Sequence, residues 1–133
     1  MKIEDTIKKA IILGATGGIG RQLAKELARS LEHLVLVGRD ADKLSQVQKE
    51  LTGSKAQLSI LTLDMLDQVA LEAFVENLDA DLLVNCAGLA YFSLGCVLDS
   101  ASEQDLWQLN YHSPVQLIKQ VVQKNQNIKL VQL

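Results

Sequence analysis

The segment Gly14-Ala15-Thr16-Gly17-Gly18-Ile19-Gly20 ends a short apolar run and sets Gly14, Gly18 and Gly20 at the spacing Gly-x-x-x-Gly-x-Gly. Without side chains the backbone turns sharply and its N–H groups come close to an anion. The helical pattern that starts here adds the positive end of its dipole. The chemistry such a turn serves is the holding of a pyrophosphate. It is not a P-loop, because the Gly-Lys-Ser/Thr ending is missing, and it is not the Gly-x-Gly-x-x-Gly spacing either.

Other polar or small residues follow apolar runs in the same way: Arg39 after Gly38, Asp64, and Asn85-Cys86-Ala87-Gly88. Asn110 stands four residues before Pro114, whose ring displaces the carbonyl of the residue four before it. Cys86 and Cys96 lack a Cys-x-x-Cys arrangement and a nearby His or Cys cluster, so no metal site is expected. His33 and His112 have no visible partner and read as packing or surface residues.

The elements that position these groups alternate. Lys9 to Leu13 is an apolar run, followed by Ile19, Leu23, Leu27 and Leu31 at four-residue spacing, which predicts a strand and then a helix packed on that face. His33 to Val37 closed by Gly38 predicts a second strand, and Asp42 to Leu51 a second helix. Gln57 to Leu63, Asp67 to Asn77 and Leu82 to Val84 repeat the alternation. Ser102 with Asp105 resembles a capping box opening a long fourth helix to about Lys124, and Ile128 to Leu133 is a fifth strand. Strands separated by such helices imply right-handed crossovers. The expected fold is α/β, a Rossmann-type doubly wound parallel sheet of about five strands in the order 3-2-1-4-5, in one domain over residues 1–133. Ligands in such sheets sit outside the carboxyl ends of the strands, where the winding reverses between the first strand and the fourth.

With those residues in order, the sequence resembles the short-chain dehydrogenase/reductase family. Its cofactor loop is Thr-Gly-x-x-x-Gly-x-Gly, with Leu13 here in the threonine position. Its Asn-Asn-Ala-Gly is matched by Asn85-Cys86-Ala87-Gly88, with Cys86 replacing one Asn. Asp64 and the helical Asn110 match in register. The resemblance covers almost all of this chain but about the first half of a complete member. It implies that Gly14, Thr16, Gly17, Gly18, Ile19 and Gly20 hold a nicotinamide dinucleotide, that Asn85, Ala87 and Gly88 shape the turn facing it, and that Asp64 contacts the adenine amino group. Asp64 is equally suited to cap the helix that follows. Asn110 would belong to the catalytic set as support for a water, or be a surface Asn in a Pro-kinked helix.

An Asp or Glu at the end of the second strand accepts hydrogen bonds from ribose hydroxyls and selects NAD. Gly38 fills that slot and Arg39 follows, whose guanidinium fork suits a 2′-phosphate, so NADP is expected over NAD. Asp40, if turned inward, would oppose that phosphate.

Hydride transfer to a carbonyl needs a proton donor, and an unassisted Tyr with a pKa near ~10 is poorly matched to neutral pH. The family uses Tyr-x-x-x-Lys with a Ser after the fifth strand. Here Tyr91 is followed four positions on by Gly95 and Tyr111 by Val115, and the sequence reads as truncated after the fifth strand. Three readings stay open: an oxidoreductase portion inactive alone, a non-catalytic dinucleotide-binding or interaction protein, and a half-enzyme completed by a second chain. Only the Tyr91 to Ser100 segment bears on substrate shape.

A net charge of -3, with 48% hydrophobic and 22% charged residues, gives no broad attraction to nucleic acid or anionic lipid. No apolar stretch approaches a membrane span, and a cytoplasmic protein is expected. A bare fifth-strand edge predicts a homo-oligomer, formed there or on the fourth helix through Leu106, Leu109, Leu117 and Val121.

Overall fold

The computed structural model describes residues 6–89, 99–125 and 127–133. Tyr91, Cys96 and most of the Tyr91 to Ser100 segment lie outside the described residues. Five strands, β1 (Lys9–Leu13), β2 (His33–Gly38), β3 (Gln57–Thr62), β4 (Leu82–Asn85) and β5 (Lys129–Gln132), form one parallel sheet in the order β3-β2-β1-β4-β5. This is the Rossmann-type order expected from the sequence.

β1 is the central strand, and its alternation divides the interior. Ala10 and Ile12 join a core with Ala24 and Ala28 on one face, while Ile11 and Leu13 join Leu71, Phe74 and Leu117 on the other. Successive side chains of a strand point to opposite faces, so an unbroken apolar run is what a sheet covered on both sides requires. Helices α1 (Gly18–Leu27) and α2 (Ala41–Glu50) cover the first face, and α3 (Gln68–Glu76) and α5 (Ser113–Lys124) the second.

Three of the helices start where a carboxylate accepts free first-turn N–H groups. Asp40 caps α2 by accepting from the N–H groups of Asp42 and Lys43, and Asp67 caps α3 by accepting from Ala70. Helix α4 (Ser100–Trp107) is capped by Asp99, which accepts from the Ser102 N–H at 2.8 Å and its hydroxyl at 3.1 Å. The expected start at Ser102 is therefore corrected. A charged acceptor at the positive end of the helix displaces a hydroxyl cap, and these hydrogen bonds hold the Asp99 carboxyl below its usual range.

Three further expectations change. Of the face expected to pack, Leu23, Leu27 and Leu31 meet the core but Ile19 is 67% exposed; Gly20 and Ala24, with Ala28 beyond the helix end, complete the contact because small residues let the helix lie close to the sheet. The long fourth helix is interrupted by a π turn at Gln108–His112 before α5 resumes with Pro114 in its first turn. Leu109, Leu117 and Val121 are buried in the core beneath α3, so they are not the open face expected of a docking helix. Trp107, Tyr111 and Val122 are exposed instead.

Asp81 ties β4 to the start of β1, its Oδ2 accepting from the Lys8 and Lys9 N–H groups at 2.9 and 3.0 Å. Those bonds hold its carboxyl below the usual carboxylate range. A depressed carboxyl contributes stability that is complete above its unfolded pKa of ~3.9 and is lost as pH falls through the lower folded value. Asp81→Asn should therefore lower stability at neutral pH and flatten the acid limb of a stability-versus-pH curve; an unchanged limb would refute the linkage. Urea unfolding should show Leu117→Ala less stable by ~2–5 kcal/mol, with Val122→Ala within ~0.5 kcal/mol of the parent chain.

Candidate functional site

A cleft opens at the carboxyl ends of the strands, with one contribution from each of the first four. Gly14, Thr16 and Gly17 follow β1, Gly38 and Arg39 stand at the end of β2, Leu63 and Met65 follow β3, and Cys86, Ala87 and Gly88 follow β4.

The turn after β1 is shaped by backbone contacts alone. Gly14 has φ 76°, and its N–H and that of Ala15 donate to Val37 O at 2.9 and 3.0 Å. A Cβ at Gly14 would stand 2.6 Å from the Ala87 nitrogen, and one at Gly20 would stand 2.2 Å from the Gly14 carbonyl oxygen. Neither position can hold a side chain. A Cβ at Gly18, by contrast, would meet nothing within 4 Å. The fold requires Gly14 and Gly20, whereas Gly18 leaves open space in front of the first turn of α1. That turn has no side-chain cap and no acidic residue. Its N–H groups are available to an anion.

Asn85 is fully buried at the end of β4. Its Oδ1 accepts from the Ala87 N–H at 3.0 Å, and its Nδ2 donates to Gln132 Oε1 of β5 at 2.8 Å. One amide thus fixes the turn after β4 and ties the last two strands together. Asn110 lies in the π turn and clamps the next residue of the same segment: Leu89 N–H donates to Asn110 Oδ1 at 2.8 Å, and Asn110 Nδ2 donates to Leu89 O at 2.7 Å. A Cβ at Gly88 would stand 3.5 Å from Asn110 Oδ1. The geometry gives Asn110 a positioning role.

Arg39 is exposed at the mouth, and no ion pair engages it among the described residues. Arg21, one turn into α1, pairs with Glu50 and points elsewhere. Asp64 does not line the cleft, although its neighbours Leu63 and Met65 do. Its Oδ1 accepts from the Leu66 N–H at 3.0 Å in an Asx turn, and the cap of α3 is Asp67. The helix-cap reading of Asp64 is therefore corrected: two aspartates three residues apart compete for the start, and the one adjoining the helix takes it.

Met65, Leu109 and Cys86 line the cleft without having been singled out as ligand contacts from the sequence. The position of Met65 just past a strand end was the available signal, whereas nothing local marked Leu109. Cys86 is a free thiol, pushed above the usual thiol range by burial. Among the described residues no group of three or more His, Cys, Asp or Glu is placed to hold a metal. Nor is any helix among them long and apolar enough to cross a membrane.

A family model described as short chain dehydrogenase matches residues 8–129. Dehydrogenase/reductase SDR family member 7B of Bos taurus is 31% identical over 122 residues, covering 82% of this chain and 37% of that protein. A short-chain dehydrogenase/reductase from Vibrio parahaemolyticus superposes with a TM-score of 0.79 at 28% identity, over 92% of this chain and 56% of its own. An actinorhodin polyketide ketoreductase gives 0.79 at 26% identity, over 99% of this chain and 54% of its own. The chain thus spans little more than a third of the bovine relative and somewhat over half of these two structures. The glycine turn packed on the Ala87 turn, in a sheet of this order, accords with a match that runs nearly end to end: the chain belongs to the short-chain dehydrogenase family.

Proposed function

We propose that this chain binds NADP(H) as the cofactor-holding portion of an oxidoreductase that moves hydride between the nicotinamide and a carbonyl or alcohol. The observation that carries the reading is the pairing at the end of β2. Gly38 stands where an acid would select NAD, and Arg39 lines the same cleft as the glycine turn with no ion pair among the described residues. Asp40, the acid next to Arg39 that would oppose a 2′-phosphate if turned inward, has its Oδ1 engaged by two N–H groups at the start of α2. The actinorhodin ketoreductase of similar fold was solved with NADPH, which fits the same choice. The uncapped first turn of α1 takes the pyrophosphate, and the Ala87–Gly88 turn faces the nicotinamide half.

Protonating the developing alkoxide calls for an acid that these 133 residues do not supply as Tyr-x-x-x-Lys. Tyr111 stacks on Trp107, ring centroids 4.6 Å apart, at an exposed site that does not line the cleft. Cofactor binding without turnover is therefore the activity proposed for this portion, and the substrate is a matter for residues outside the cleft. A reducing, cytoplasmic setting accompanies this reading, with Cys86 kept as a thiol.

Self-association is part of the proposal, with its surface revised. β5 is an edge strand with Val131 exposed in it and Leu133 exposed just past its end, and unpaired strand edges recruit further strands. The exposed side of the α4 to α5 stretch offers Trp107, Tyr111 and Val122.

Calorimetric titration should show NADPH binding tighter than NADH, with no oxidation of NADPH in the presence of simple ketones. Arg39→Ala should weaken NADPH about tenfold or more, the loss of a charge-assisted bond, while leaving NADH within about twofold. Equal losses for both cofactors would remove the 2′-phosphate assignment. Sedimentation velocity should show a concentration-dependent dimer that Val131→Lys suppresses; a monomer throughout the accessible range would rule out the edge.

A further inference from the structure

The π turn does more than present Asn110. Three residues on, at the first position of α5, Ser113 is fully buried. Its hydroxyl donates to the carbonyl oxygen of Met65 at 2.7 Å, across 48 positions of sequence, and accepts from Gln108 Nε2 at 3.1 Å. Gln108 and Ser113 are five residues apart, a separation that spans the π turn. A π turn displaces the residues after it relative to a regular helix, and such turns recur at functional sites.

Met65 is itself buried and lines the cleft with Leu63. The segment from Leu63 to Asp67 has few other tethers. Leu63 N–H donates to Gly38 O at 2.9 Å, and Leu66 N–H and Asp67 N–H donate only to Asp64. Among the described residues, Ser113 thus tethers the middle of this wall through a hydroxyl with no exposure to water. Leaving a buried carbonyl without its donor is costly, so the wall follows the hydroxyl.

The sheet order says which part of the ligand that wall meets. On the NADP(H) reading, with the pyrophosphate at β1 and the adenosine ribose at the end of β2, the next strand outward is β3, and the purine would lie against Leu63 and Met65. The nicotinamide half extends the other way, toward β4 and the segment that Asn110 holds. One irregular turn of helix therefore holds both ends of the cleft, through different residues.

We infer that Ser113 is a positioning residue for the adenosine half of the cofactor site, acting through the Met65 carbonyl. The inference rests on the NADP(H) reading above. It concerns affinity and its division between the two halves of the ligand, and places no group on the reacting atoms.

The test compares two fragments by calorimetry on the 133-residue chain: 2′,5′-ADP, which occupies only the adenosine half, and reduced nicotinamide mononucleotide, which occupies only the other. Ser113→Ala should weaken 2′,5′-ADP about fivefold, as for one ordinary hydrogen bond, and leave the mononucleotide within about twofold. Gln108→Leu removes only the donor that orients Ser113 and leaves the buried hydroxyl in place, so it serves if Ser113→Ala does not fold; it should weaken 2′,5′-ADP about twofold to threefold. Ser113→Thr, which keeps the hydroxyl, should restore most of the loss. Unchanged 2′,5′-ADP affinity in a folded Ser113→Ala or Gln108→Leu chain, or equal weakening of both fragments, would overturn the inference. A parent chain that binds neither NADPH nor 2′,5′-ADP would instead fail the NADP(H) reading itself, and this inference with it.

Discussion

The turn after β1 lies directly against the turn after β4, backbone on backbone, and the rest of the site depends on that contact. Gly14 can make it because it has no Cβ and because its φ of 76° is open to glycine. With the two turns in contact, β1 and β4 run side by side from Ala10 and Leu82 to Leu13 and Asn85, and the winding of the sheet reverses between them. Crossovers from β1 go one way to cover the face under α1 and α2; those reaching β4 and β5 cover the face under α3 and α5. The crevice is what remains between two sets of loops that diverge. A side chain at position 14 would separate the turns and remove the floor of the cleft along with the packing of Gly20 against the same carbonyl.

Electrostatics within the fold then separate structural ends from a binding end. Asp40, Asp67 and Asp99 each put a carboxylate on the start of a helix. Those three starts are satisfied from within the chain, and an added anion would meet a like charge there. α1 begins at Gly18 with neither a side-chain cap nor an acid in its first turn, beside the turn that Gly14 shapes. The same carboxylate that closes α2 also spares Arg39 a competitor. A net charge of -3 therefore does not prevent a phosphate from finding a local positive end.

Much of this was legible in the sequence, for reasons that also explain the rest. The five apolar runs and the glycines after the first of them are local signals, and they fixed the strands to within a residue or two. Gly14 and Gly20 read as a turn because only glycine fits there. The π turn was only half visible. Pro114 marked a disturbance near Asn110, but a run of apolar residues at three and four spacing looks the same through a π turn as through a regular helix. That spacing likewise identified Leu109, Leu117 and Val121 as apolar without saying whether their face meets α3 or a second molecule. Ile19 failed for the opposite reason: α1 approaches the sheet through Gly20 and Ala24, and small residues at a close contact leave no hydrophobic signal. Asp64 suited a helix start in the sequence, and only the fold shows that the chain uses Asp67.

The cleft that results is a holding site more than a reactive one. Of the described residues lining it, Arg39 and Cys86 carry titratable side chains. The thiol is moved further from neutrality by its burial. The amides of Asn85 and Asn110 are engaged with the backbones of Ala87 and Leu89, and the hydroxyl of Ser113 with that of Met65. Asn85, Asn110 and Ser113 are thus committed to placing backbone, and Arg39 and the backbone N–H groups are left to meet the ligand. That division suits a dinucleotide, whose phosphates and riboses are recognised by position and direction.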